Sequence, residues 1–155
     1  MVSTVIENIR QTRKNMLQLL EAFTYEEIIS IPKSMNNHLL WNYGHSIVTQ
    51  HILTYGLSGL SHSIDEGLLQ RYRKGSLPKE HNYPFTDLAM FSKLSRVGLD
   101  LLKVDYEKKA FIHFKPYTTS YGVVLSSIEE AIVFNAQHEA LHLGFMMAQR
   151  HILSH

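Results

Sequence analysis

Residues 134–144 read Phe134-Asn135-Ala136-Gln137-His138-Glu139-Ala140-Leu141-His142-Leu143-Gly144, and they decide the fold. Upstream, Ser127-Ile128-Glu129-Glu130 has the spacing of a capping box, a serine followed three residues later by a glutamate. A helix opening there runs to about His151. It is apolar on most faces, through Ile128, Ala131, Ile132, Val133, Phe134, Leu141, Phe145, Met146 and Met147. Such a helix is either central to its fold or buries a second face in an oligomer. Within it, His138 and His142 lie four residues apart. One turn is about 3.6 residues, so both imidazoles leave the same face about 6 Å apart.

Working outward, a loop holding Pro116 and Gly122 precedes this helix. Before it, the pattern predicts a helix over about 86–109, with Met90, Leu94, Val97, Leu101 and Val104 as its buried stripe. Ser95 and Gly98 allow a neighbour to approach closely. Residues 58–84 form a long connection broken by Gly75, Pro78 and Pro84, with a short helix near 65–73. Connections of this length cross over a domain or cover a site. This one lets the helices on either side of it run parallel. A helix from Asn36 or Asn37, as cap, to about Leu57 presents Trp41, His45, Val48, Ile52 and Tyr55 on one face. A linker, 24–35, contains Pro32. The first helix runs from about Ser3, capped by Ser3 or Thr4, to Phe23. Its stripe is Val2, Ile6, Ile9, Met16, Leu20 and Phe23, with Arg13 in the one gap. The reading preferred for Arg13 is a packed stem with its head in water; the other is a reach to a polar interior group. The sum is an all-α four-helix bundle with a long crossover connection between its second and third helices, in one domain over 1–155.

The bulk composition agrees. Apolar residues make up 45% and charged residues 19%, an ordinary globular balance. A formal net charge of +1 gives no global field toward nucleic acid or an acidic membrane. No apolar run reaches the roughly 18 residues a membrane helix needs, and the first residues lack the pattern of a signal peptide. The expected location is cytoplasmic. The chain has no cysteine, which excludes disulfides, thiolate metal sites and a cysteine nucleophile.

Ten histidines are many for 155 residues. Roughly 0.6 pairs at four-residue spacing arise by chance at this density, so the spacing alone is weak. His151 and His155 form a second such pair at the chain's end. Context separates the two. His138 and His142 sit mid-helix among apolar residues, where each imidazole nitrogen needs a partner. A third ligand comes best from His45, near the middle of the second helix. The expected metal ligands are therefore His45, His138 and His142. Trp41, Asn42, Asn135 and His38 are candidates for the pocket or for groups behind the ligands, and Tyr121 for a pocket hydroxyl. His51 points to another face. His62, His81, His113, His151 and His155 are expected in loops or at the terminus, without a functional role.

Formally, His138 to His142 is H-E-x-x-H, the zinc-protease helix with its glutamate base. No acidic residue follows His142, and Phe145 and Ala148 stand where the extended form needs glycine and histidine. Glu139, about 100° around the helix from His138, is expected to make a solvated or interhelical polar contact instead.

The two motifs Leu40-Trp41-Asn42-Tyr43-Gly44-His45-Ser46-Ile47 and 134–144 resemble the DinB-like superfamily, metal-binding four-helix bundles found mostly in bacteria. In that family one histidine lies in the second helix and an H-x-x-x-H pair in the last, matching His45, His138 and His142. The Gly44-His45 pair and Gly144 also match. Family members often carry a basic residue and a glutamine around that last glycine. Here Leu143 and Phe145 stand there, which implies a different polar lining near the metal.

Imidazole suits zinc or nickel among others. Three neutral imidazoles leave a divalent metal its full charge and at least one open position, as catalytic sites do. Such a metal lowers the pKa of a bound water or thiol and polarises a substrate oxygen. The resemblance implies a thiol S-transferase-like enzyme using a low-molecular-weight thiol, or a small-molecule hydrolase. The alternative is a non-catalytic metal- or ligand-binding stress-response protein, or a metal that only braces two helices. The apolar excess of the last helix and the family's habit imply a homodimer.

Overall fold

The computed structural model describes residues 1–61 and 64–154. His62 and His155, both expected to be without a role, lie outside them. Four long helices form the body: α1 (Val2–Leu20), α3 (Leu39–His51), α5 (Thr86–Glu107) and α6 (Ile128–Leu153). Two short helices join them, α2 (Tyr25–Ile28) and α4 (Glu66–Tyr72). A hairpin of two-residue strands, β1 (Tyr117–Thr118) and β2 (Val124–Leu125), precedes α6.

Residue pairings give the directions. Arg10 meets Asp100 and Met16 clusters with Phe91, so α1 and α5 run antiparallel, while Arg13 meets Glu139 and Ile6 packs with Ile128 and Ile132, so α1 and α6 run parallel. Asn42 meets Gln149 and His142, while Leu53 clusters with Ala131 and Phe134, so α3 and α6 are antiparallel. Gly44 faces Phe91, Gly98 faces His51 and Tyr55 bonds Asp105, so α3 and α5 are parallel. The long crossover allows that arrangement, as the sequence suggested. The bundle is thus all-α, with Met16, Leu40, Phe91 and Met146 bringing the four helices into one core cluster.

Several boundaries differ from the sequence reading. Helix α1 begins at Val2 with Met1 in the cap position and no side-chain cap, so neither Ser3 nor Thr4 serves. The 24–35 linker contains α2, opened by a reciprocal box between Thr24 and Glu27. The cap of α3 is His38, whose Nδ1 accepts the Trp41 N–H at 3.0 Å, rather than Asn36 or Asn37. Ser127 caps α6 by accepting from the Glu130 N–H, but Glu130 accepts from Ser126 N, not Ser127 N.

Two corrections concern burial. Arg13 is 1% exposed and reaches into the interior instead of out to water. On α5 the buried face runs through Asp87, Phe91, Ser95, Gly98 and Leu102. Of the expected stripe only Leu94 is buried, and Met90, Val97, Leu101 and Val104 are exposed. The polar members of the real face have partners waiting: Asp87 takes a bidentate Arg71 and the Tyr72 hydroxyl. Gly98 gives the room in which the His51 ring lies.

Helix α3 passes into a π turn over Ile52–Gly56, where the Leu57 N–H bonds the Ile52 carbonyl five residues back. No helix among the described residues is long and apolar enough to cross a membrane.

Candidate metal centre

His45 comes from α3 and His138 and His142 from α6, and one ring nitrogen from each lies within 4.8 Å of the others. His45 and His138 are buried, and His142 is partly so. Two outer contacts, at His45 and His142, fix which nitrogen faces inward.

His45 Nδ1 donates to the Tyr72 carbonyl at 2.7 Å. A carbonyl only accepts, so Nδ1 carries the proton and Nε2 keeps its lone pair. Among the described residues, the Thr49 hydroxyl meets that Nε2, at 3.4 Å. The ring lies flat against Trp41, at 4.4 Å and 8° between planes, and the indole N–H is held by Ser76 Oγ. Tyr72 is itself seated by close packing: a Cβ on Gly44 would stand 2.5 Å from both the Tyr72 and Phe91 rings. Glycine beside His45 is therefore what lets α4 lean close enough for its carbonyl to orient the imidazole.

His142 is oriented by a chain of amides. Gln149 Nε2 donates to the Asn37 carbonyl at 2.7 Å, leaving Gln149 Oε1 to accept from Asn42 Nδ2 at 3.3 Å. Asn42 Nδ2 also faces Asn37 Oδ1 and the His38 carbonyl. Three acceptors around Nδ2 leave Asn42 Oδ1 for His142 Nδ1, 2.9 Å away. His142 Nδ1 is then the donor, and Nε2 again carries the lone pair. That Nε2 faces His138 Nε2 at 3.2 Å, and His138 Nδ1 is buried without a hydrogen-bond partner.

The donor set fits a tetrahedral cation. Two metal–nitrogen bonds of about 2.0–2.1 Å at the tetrahedral angle place their nitrogens about 3.3–3.4 Å apart. The His138–His142 spacing of 3.2 Å is close to that value. Outer hydrogen bonds that fix the tautomer, as Tyr72 and Asn42 do here, are the usual support of metal-binding imidazoles. Burial pushes His45 and His138 down to about 4 and His142 to about 3, with mutual repulsion among the rings adding to it at His138 and His142. At His45 the Tyr72 carbonyl works against burial, and the Lys74 charge adds to it. All three rings are therefore neutral near pH 7, the form that binds a metal.

A cavity of about 130 Å³ opens beside His45 and His138. Hydroxyls of Thr49, Thr119 and Ser120 and the Lys74 side chain line it, over an apolar floor that includes Leu53 and Phe134. None of the lining residues is acidic. Its outer wall is the 117–120 part of the hairpin. Among the described residues of the 58–84 connection, only Lys74 reaches it. A larger groove of about 690 Å³ between α1 and α5 lies away from the histidines, beyond Arg13.

The remaining candidates divide. Asn42 and Trp41 contact the ligand histidines directly. His38 caps α3 with its ring edge on Tyr83, and burial lowers it to about 4. Asn135 lies behind the site, fully buried, donating to Glu139 at 2.7 Å. Tyr121 packs its ring on Phe134, and Tyr117 lines the cavity in its place. Leu143 and Phe145, where the family pattern is broken, do not line the cavity. His51 is buried against Tyr55 and apart from the three. His81, His113 and His151 are exposed.

Glu139 points away from the histidines. Both its oxygens accept from Arg13, at 2.9 and 2.6 Å, and Arg13 also donates to Gln50. Both side chains of the pair are 0% exposed. A carboxylate so engaged is an interhelical brace, and the H-E-x-x-H reading has no base to use. The structure takes the reading of Arg13 that the sequence made second, a reach to a polar interior group; the arginine in the apolar stripe of α1 was its signal.

A family model of the DinB superfamily matches residues 8–97, more than half of the chain. The chain belongs to the DinB superfamily. The matched stretch contains His45 and ends before His138 and His142. No curated protein matches the chain.

Proposed function

We propose that the chain binds one divalent cation, zinc or nickel, through His45, His138 and His142, and uses it in a metal-dependent reaction on a small molecule. The observation that carries the reading is the inward convergence of three neutral imidazoles beside a cavity. Bound there, the metal would supply Lewis acidity and lower the pKa of a coordinated water or thiol. The chain's residues do the rest. Tyr72 and Asn42 hold the tautomers, Trp41 holds the His45 ring, and Leu53 and Phe134 keep one side dry. With no cysteine of its own, the chain would take a low-molecular-weight thiol as cosubstrate in a thiol S-transferase-like reaction; a small-molecule hydrolase is the other form. One observation favours a second reading, a metal-dependent ligand-binding protein without turnover: no carboxylate lines the cavity to act as a general base. Exposed Val133, Leu141 and Phe145 on α6 support a homodimer, and the lack of cysteine a cytoplasmic location.

Elemental analysis of untagged protein purified without added metal tests the site. It should give about one zinc or nickel per chain. His142→Ala should fall far below one, and His151→Ala should match the parent. Full metal in His142→Ala would overturn the assignment. Turnover across thiol-plus-electrophile, ester and amide panels then separates enzyme from binding protein.

A further inference from the structure

We infer that the cavity beside the three histidines selects a compact monoanion, a carboxylate on an apolar body, with Lys74 acting as the charge-selecting residue. The inference rests on the metal reading above and extends it to the class of ligand.

Charge is the first argument. Three neutral imidazoles cancel none of a divalent cation's charge, and Lys74 adds another positive charge to the same cavity. Acidic residues are absent from the wall, so nothing of the protein's own answers that field. Lys74 is exposed, so solvent screens part of the repulsion between the two like charges, and the remainder favours an anion between them. An anionic ligand is what removes the imbalance.

Hydrogen-bond capacity is the second. The Thr49 hydroxyl meets the His45 Nε2 lone pair at 3.4 Å. When a cation takes that lone pair, the hydroxyl is released to donate to the carbonyl one turn back or into the cavity that Thr49 lines. Thr119 Oγ1 already accepts from the Val123 N–H, so its own proton is left to donate. The wall around the metal thus offers donors, and a carboxylate accepts without donating.

Size and floor are the third. A cavity of about 130 Å³ is close to the roughly 150 Å³ cavity that holds benzene. Leu53 and Phe134, 4% and 6% exposed, make its floor apolar. The ligand is therefore a carboxylate with an apolar part of about six heavy atoms.

The test uses the full chain loaded with cobalt(II), whose visible bands report ligands entering the metal's open position. Benzoate and its neutral isostere benzamide are titrated into the parent and into Lys74→Met. Lys74 is exposed, so the variant keeps the fold and its cobalt stoichiometry. Benzoate should bind the parent at least tenfold tighter than benzamide. Lys74→Met should weaken benzoate about tenfold and leave benzamide unchanged. Equal affinity for the two probes, or an unchanged benzoate affinity in Lys74→Met, overturns the inference while leaving the metal site standing. Failure of the parent to take up one cobalt per chain overturns the metal reading and this inference with it.

Discussion

Two buried polar clusters sit back to back on α6, and they are built on opposite terms. His138 belongs to one and its neighbour Glu139 to the other. In the Arg13–Glu139 cluster, both carboxylate oxygens accept from Arg13, and Asn135 and Gln50 add further bonds. Charge meets charge inside, and the side chains of the pair are sealed from water. In the histidine cluster the outer nitrogens of His45 and His142 are bonded, while the inner ones face each other and a cavity. A cluster whose charges are paired within it holds helices in place, although Arg13 Nη1 and Asn135 Oδ1 lack partners among the described residues. One that is completed only on its outer side is shaped for something from outside.

The largest expected effect comes from breaking the sealed cluster. Glu139→Ala strands the buried Arg13 charge and should cost about 3–5 kcal/mol in urea unfolding. The double variant Arg13→Met/Glu139→Met, which removes both charges, should recover most of that. If it does not, the pair is more than a brace.

Next is acid sensitivity, read on metal-free protein. His38 has its folded pKa lowered by burial to about 4 from the ordinary 6.5. The unfolded chain therefore takes up this proton first. Stability is full above pH 6.5 and falls as pH drops toward 4, by up to about 3 kcal/mol from this residue. His38→Asn keeps an N-cap acceptor and removes the titration. Unfolding free energies at pH 7, 5.5 and 4.5 should show a slope shallower by about one proton; an unchanged slope would clear His38 of the effect.

Asn42→Leu removes the acceptor behind His142 and should weaken metal binding about 10–100-fold, measured by competition with a chelator. Smallest is Gly44→Ala. Its Cβ overlaps the Tyr72 and Phe91 rings and should cost about 1–3 kcal/mol. Metal affinity should fall with it, because the Tyr72 carbonyl that orients His45 is pushed away. Equal metal affinity would mean that α4 is not needed to aim the imidazole.

How much of this was legible in the sequence varied with how local the cause was. The spacing of Ile6, Ile9, Met16 and Leu20 marked α1, and Ser127 marked the start of α6, because caps and stripes are set by residues within a few turns. The three histidines were legible because two share one helix face and the third lies at matching depth. The interior reach of Arg13 was weighed but not preferred, because its partner, 126 residues away, could not be named. Helix α5 misled because its apolar stripe, Met90, Val97, Leu101 and Val104, is not its packed face. What packs there is decided by what the neighbours bring, Arg71 and Tyr72 to Asp87 and the His51 ring to Gly98. Hydrophobic periodicity cannot see a polar face that is satisfied across space.

The π turn after α3 is a change of phase in the helix. It holds one residue more than an α turn would, in the way a single insertion is accommodated. His45 and Thr49 precede it and keep α-helical register with the metal centre, while Leu53 and Tyr55 lie within it. Deleting one residue there would restore regular helix while the residues beyond it kept nearly their phase, because about five residues of π turn cover the rotation of about four in an α turn. The residues within the turn are the ones repositioned: Leu53 of the cavity wall, and Tyr55 with its bond to Asp105. The wall beside the histidines can therefore change through this one turn while His45 and Thr49 keep their register.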